Sequence, residues 1–200
     1  GGCFQFVEGL GTFGKTGDLV TSSQRPSASG HIEVYKGTWL VLCGNYYNAG
    51  VTVNNPSVKI AGTASTQYAI GGSHNQTGAA VTGTTELYIG GSASVTESAC
   101  VGSYFAGNNQ IGGKGTIEGN PTIKFIAGGG AGTGNIKSGA KYVLDIKGGN
   151  ITTAVAYTCT SSADITTDVT INVNGGTVTN LYGGFYSNFS AQSSKNNYAA

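Results

Sequence analysis

Methionine is missing from this chain altogether, and arginine occurs once, as Arg25. One arginine excludes the bidentate phosphate and base contacts that nucleic-acid recognition uses. A formal net charge of +1 supplies no field to replace them. Charged residues make up 10% of the sequence, against roughly a quarter in an ordinary soluble domain. Disordered chains carry more charge and fewer β-branched residues, so disorder is excluded too. No apolar run approaches the ~18 residues of a membrane-spanning helix. Nucleic acid and a membrane span are therefore not expected. A translation product starts with Met, so Gly1 reads as the start of a processed or excised piece, any signal peptide already removed.

Helical signals are scarce as well. Glycine interrupts the chain at short intervals, and no stretch keeps a helical period. Glycine is abundant, with 35 of 200 residues, but there is no Gly-X-Y period, which excludes collagen. Thr, Ser, Asn, Val and Ile fill the remainder, a composition suited to short strands joined by tight turns. Few charges, little lysine and much Thr, Asn and Gly point to an extracellular or cell-surface location.

What the sequence does contain is a repeat. Six segments begin at Ile32, Val58, Leu87, Ile117, Leu144 and Ile171. Successive starts keep a near-constant period, with the small drift that loop insertions produce. Each opens with an apolar–any–apolar triplet, such as Leu144-Asp145-Ile146 or Ile171-Asn172-Val173, then turns at glycine. Gly148-Gly149 and Gly175-Gly176 occupy matching places, with Gly62 and Gly90-Gly91 close by. A triplet of period two is a strand with one face buried. One such unit cannot bury its apolar face alone, whereas stacked units bury a continuous core. The expected fold is all-β: a right-handed parallel β-helix, or solenoid, of about six coils of roughly 26–30 residues each. An antiparallel sandwich or barrel also has short strands, but it does not explain matching text at this period. Residues 1–31, with Phe4, Phe6, Val7 and Leu10, read as an N-terminal cap or irregular first coil. Residues 32–186 carry the repeats, and residues 187–200 are a polar C-terminal segment or an open final coil. Open ends of such stacks pair with other strands unless capped, so end-to-end self-association is expected.

The four cysteines Cys3, Cys43, Cys100 and Cys159 have no zinc-like spacing. Cys43 and Cys100 would lie about two rungs apart, roughly 9.6 Å, too far for a disulfide. Buried thiols packed as small core residues suit Cys100 and Cys159. A Cys3–Cys43 bond is conceivable if the N-terminal segment covers the first coil.

Chemistry-bearing patterns are few. His31 and His74 are the only histidines. Ser73 and His74 are adjacent and would face opposite sides of a strand, which is not a nucleophile arrangement. Gly112-Gly113-Lys114-Gly115-Thr116 has Gly115 where a phosphate loop needs Ser or Thr. Glu33, Glu118 and Asp145 sit at outward positions, as solvated strand faces do. Asp164 and Asp168 border a loop with too few carboxylates for a calcium cage. No catalytic, metal or cofactor site is expected. Two outward rows stand out. Tyr46, Tyr47, His74, Tyr104, Tyr157 and Tyr186 recur in the second half of the repeats, where a row of rings can bind sugar or serve as a protein interface. Thr38, Thr63, Ser65, Ser92, Ser94, Thr122, Thr152, Thr177 and Thr179 form a hydroxyl-rich row, which Lys124 interrupts.

The text Ile146-Lys147-Gly148-Gly149-Asn150-Ile151 and Val173-Asn174-Gly175-Gly176-Thr177-Val178, followed by Leu181-Tyr182-Gly183-Gly184, resembles the glycine-rich repeats of bacterial surface β-helix proteins. The likeness covers residues 32–186. It implies that fold, and a function among adhesins, autotransporter passengers, carbohydrate-binding surface proteins and polysaccharide lyases. Lyases of this style set acidic calcium ligands beside a basic catalytic residue, and here Arg25 lies outside the repeats. A non-enzymatic adhesin or filament subunit is the first expectation. A carbohydrate-binding or polysaccharide-degrading β-helix using the tyrosine row is the second.

Overall fold

The computed structural model describes residues 6–8, 28–45, 52–74, 80–104, 110–130, 139–157 and 167–185. Eleven strands occupy them: β1 (Phe6–Glu8), β2 (Ala28–Val34), β3 (Thr38–Asn45), β4 (Thr52–Ile60), β5 (Ser65–Ser73), β6 (Ala80–Ile89), β7 (Ser94–Cys100), β8 (Gln110–Ile117), β9 (Thr122–Ala127), β10 (Lys141–Tyr157) and β11 (Asp168–Phe185). Every pairing is parallel. The first ladder runs β2-β4-β6-β8 into the front half of β10 and then of β11. The second runs β1-β3-β5-β7-β9 into the rear halves of the same two strands. The chain thus alternates between two ladders and climbs as it does so, which is a parallel β-solenoid. Four circuits of two strands each lead into β10 and β11, which pass through both ladders without a break. Among the described residues no helix is long and apolar enough to cross a membrane.

The pleat sends alternate side chains inward, and the register stacks like on like. Val34, Ile60, Ile89, Ile117, Ile146 and Val173 form one column in the first ladder. In the second ladder Val95, Ile123, Ile151 and Val178 form another. Ile60, Ile89, Ile117 and Ile146 are fully buried. Each such side chain contributes about 1.5–3 kcal/mol relative to exposure. Between the ladders the chain turns at a stack of glycines. Gly62 and Gly91 have φ of 60° and 64°. A Cβ on Gly91 would stand 2.7 Å from the nitrogen of Gly62 one circuit away, so the stacked turns admit no side chain.

The expected repeat boundaries need one correction. Ile117 is not the counterpart of Leu87; Gly115 is, and it pairs with Leu144 on the other side. The step from Leu87 to Gly115 and the step from Gly115 to Leu144 are therefore nearly equal, and the unevenness implied by a start at Ile117 disappears. Glycine takes an inward place because its space is occupied. A Cβ on Gly115 would come within 2.5 Å of Val101 Cγ2 and 2.9 Å of Leu144 Cδ1. The hydroxyl row also changes membership. Thr38, Ser65, Ser94, Thr122, Asn150 and Thr177 share one column, so Asn150 takes the rung expected for Thr152. The Ser94 hydroxyl donates to Ser65 Oγ across 2.8 Å.

One part of the interior is polar. Tyr142 donates its hydroxyl to Gln110 Oε1 at 2.8 Å, and Gln110 Nε2 donates to Ser103 Oγ. Ser103 Oγ also accepts from the backbone N–H of Ser73 at 2.8 Å. All four residues are buried. The chain of bonds ties the end of β5 and the turn after β7 to β8 and β10. Satisfied in this way, buried polar groups specify one register, because any slip would strand them.

Candidate functional site

The outer face of the first ladder carries the densest set of functional groups. Glu33, Lys59, Tyr88, Thr116, Asp145 and Asn172 stack in one outward column, immediately before the Val34–Val173 column in each strand. At its leading end, Glu33 is a hub. Tyr35 donates its hydroxyl to Glu33 Oε2 at 2.5 Å, His31 Nε2 stands 2.8 Å from Oε1, and Lys59 Nζ lies 3.5 Å from Oε2. These bonds stabilise the carboxylate, Tyr35 most and His31 next, and lower its pKa from 4.5 to about 2. A carboxylate held ionised in this way accepts hydrogen bonds and does not donate a proton near neutral pH.

Lys59 sits between two aromatic rings, with Nζ 5.4 Å from the Tyr35 centroid and 5.8 Å from that of Tyr88. Its pKa is raised, chiefly by hydrogen bonding with Tyr35, with the charge of Glu33 adding to it. Tyr88 donates to Glu118 Oε1 at 2.5 Å, and that bond pushes its hydroxyl pKa up. Tyr35 is 47% exposed, among the most exposed large apolar residues of those described. Ring faces flanked by carboxylates and an ammonium suit a polyhydroxylated ligand. Aromatic rings can stack on the C–H faces of a sugar, and charged groups can bond its hydroxyls.

The tyrosine row of the second ladder lies elsewhere. Tyr104 and Tyr157 are buried, at 9% and 5% exposure, and His74 is half-buried. His74 stacks on Tyr104 with centroids 5.6 Å apart, and Tyr68 meets both rings edge-on at 5.9 and 6.0 Å. Burial lowers the His74 pKa and raises that of Tyr104. Tyr104 packs against a second core of Val41, Cys43, Ile70, Cys100, Ala127 and Val155 on the outer side of this ladder. Tyr46, Tyr47 and Tyr186 lie outside the described residues. Cys43 and Cys100 are buried in one column with Ile70 between them and are not joined to each other, as their spacing predicts. Cys3 and Cys159 lie outside the described residues.

Among the described residues no group of three or more His, Cys, Asp and Glu side chains could hold a metal ion. Lys124 pairs with Glu97 at 2.8 Å on the outer face of the second ladder. Glu33 and Glu118 are expected from the sequence to face outward, but Tyr35, Lys59 and Tyr88 are not expected as their neighbours. The available signal was the outward residue of each triplet, since Glu33, Lys59 and Tyr88 hold the same place in successive repeats. Comparison with protein-family models, curated proteins and solved structures finds no match.

Proposed function

We propose that this chain is a non-enzymatic extracellular structural or adhesive protein, a surface adhesin or filament subunit, that assembles through the ends of its solenoid. The observation that carries the reading is the trailing edge. β11 is 18 residues long and pairs only with β10 among the described residues. Val169, Ile171 and Val178 pack against the core, but three of its large apolar side chains stay open: Val173 is 43% exposed, Leu181 51% and Tyr182 42%. Isolated edges of this length and apolarity are normally shortened, charged or covered, because they template pairing with another strand. β11 has Asp168 as its only charged residue.

Sedimentation velocity over a concentration series tests the reading. The unmodified chain is expected to form larger species as concentration rises, and Val173→Lys combined with Leu181→Lys to remain a monomer. An unmodified chain that stays monomeric at every concentration overturns it.

A second reading, carbohydrate binding, is favoured by the exposed Tyr35 ring with Glu33 and Lys59 beside it, and by the neighbouring Tyr88 ring bonded to Glu118. Retention on insoluble polysaccharide that Tyr35→Ala with Tyr88→Ala abolishes would support it. Retention unchanged by that pair would remove these residues from the reading.

A further inference from the structure

We infer that β11 accepts β2 and β3 of a second copy of this chain in the same register that joins successive circuits inside one copy. The inference rests on the end-to-end reading above and names its partner segment and alignment. The leading end repeats the trailing end at one constant offset. Ile171, Val173, Val178 and Leu181 of β11 correspond to Ile32, Val34, Trp39 and Leu42 of β2 and β3. The turn and hydroxyl positions follow: Gly176, with φ of 77°, matches Gly37, with φ of 95°, and Thr177 matches Thr38.

The internal rungs obey the same alignment. Leu144 lies on Ile171, Ile146 on Val173, Asn150 on Thr177, Ile151 on Val178 and Ala154 on Leu181. A second copy laid on β11 would therefore continue every inward column without a slip. The outer edge of β2 has no strand paired to it among the described residues. No like charges meet in this register: Thr170 faces His31 and Asn172 faces Glu33. An asparagine amide next to a carboxylate repeats the contact that Asn172 already makes with Asp145 at 2.8 Å.

One element stands in the way. β1 pairs with β3 at Val41, Leu42 and Cys43, the part of the edge that Asn180, Leu181 and Tyr182 of the incoming strand would take. β1 has three residues and β11 has 18, so the longer strand offers the larger ladder and β1 must yield. The first contact is then between β2 and the front half of β11, and the rear half replaces β1. β1 acts as a short plug on the growing end.

Inter-copy disulfide trapping tests this directly. Neighbouring parallel strands stand about 4.8 Å apart, within disulfide reach, whereas two rungs are roughly 9.6 Å and outside it. Thr170→Cys mixed with His31→Cys is expected to give a heterodimer on a non-reducing gel above the background of the unmodified chain. Thr170→Cys mixed with Ser57→Cys, one rung deeper, is expected to give none, nor is Thr170→Cys alone. Val7→Pro, which removes an N–H from β1, is expected to raise the assembled fraction several-fold at fixed concentration. Growth in sedimentation with the Ser57 or Thr170 homotypic link, or with no link, overturns the register while end-to-end assembly stands. Absence of any growth overturns both. A Val7→Pro chain that assembles less than the unmodified one overturns the plug.

Discussion

Replacing Gly115 with alanine isolates what holds the register of the middle circuits. The new Cβ would sit 2.5 Å from Val101 Cγ2 and 2.9 Å from Leu144 Cδ1. Leu144 can swing its terminal methyl aside, but Val101 is stiff at χ1 and fully buried, so it cannot. Overpacking of this kind costs about 1–3 kcal/mol. Alanine regains about 0.5–1 kcal/mol of backbone entropy over glycine in a strand. The steric term wins, and Gly115→Ala is expected to destabilise the chain by about 1 kcal/mol. Val101→Ala alone removes two methyl groups and is expected to cost about 2 kcal/mol, from lost burial and the space left behind. In that background the clash is gone, so Gly115→Ala should become stabilising by about 0.5–1 kcal/mol. The coupling is then about 1.5–2 kcal/mol, well above the ~0.5 kcal/mol scatter of independent sites. Urea unfolding of the four chains measures it through the midpoint, with an unchanged slope showing that the same unit unfolds. Additive effects, or a destabilising Gly115→Ala in both backgrounds, would refute the claim that Val101 fills the place of the missing side chain.

The remaining predictions concern the polar groups. Tyr142→Phe leaves Gln110 Oε1 buried without the hydroxyl that now bonds it, and should cost about 1–3 kcal/mol in the same urea assay. Adding Gln110→Leu to Tyr142→Phe should cost less than the sum of the two single changes, because the two groups strand one another. For Glu33, the folded pKa of about 2 lies below the ordinary 4.5, so its contribution to stability is present above pH 4.5 and lost as pH falls through about 2. Tyr35→Phe removes the largest cause, so NMR should show the Glu33 carboxyl titrating closer to 4.5, with a flatter stability profile between those two pH values. An unmoved Glu33 midpoint would show that the Tyr35 hydroxyl does not hold the charge.

Much of this protein is local in origin and therefore legible from the sequence alone. Period-two triplets such as Leu144-Asp145-Ile146 state which side chains face inward. Their recurrence at a near-constant period states that the strands stack in parallel, and glycine at matching places states where the backbone turns. The spacing of Cys43 and Cys100 sufficed to place them on different rungs. Only the tertiary structure decided the register around Gly115. A slip by one full pleat keeps every side chain on its own face, so periodicity cannot tell Ile117 from Gly115 as the partner of Leu87. What decides is volume, and that volume belongs to Val101, a residue of a turn on the other side of the core. The same holds for Glu33, Tyr35, Lys59, Tyr88 and Glu118. Glu33 and Tyr35 lie two residues apart, and Glu33, Lys59 and Tyr88 share a place in the repeat, but only the stacking of circuits sets which of these side chains, with Glu118, meet across the rungs.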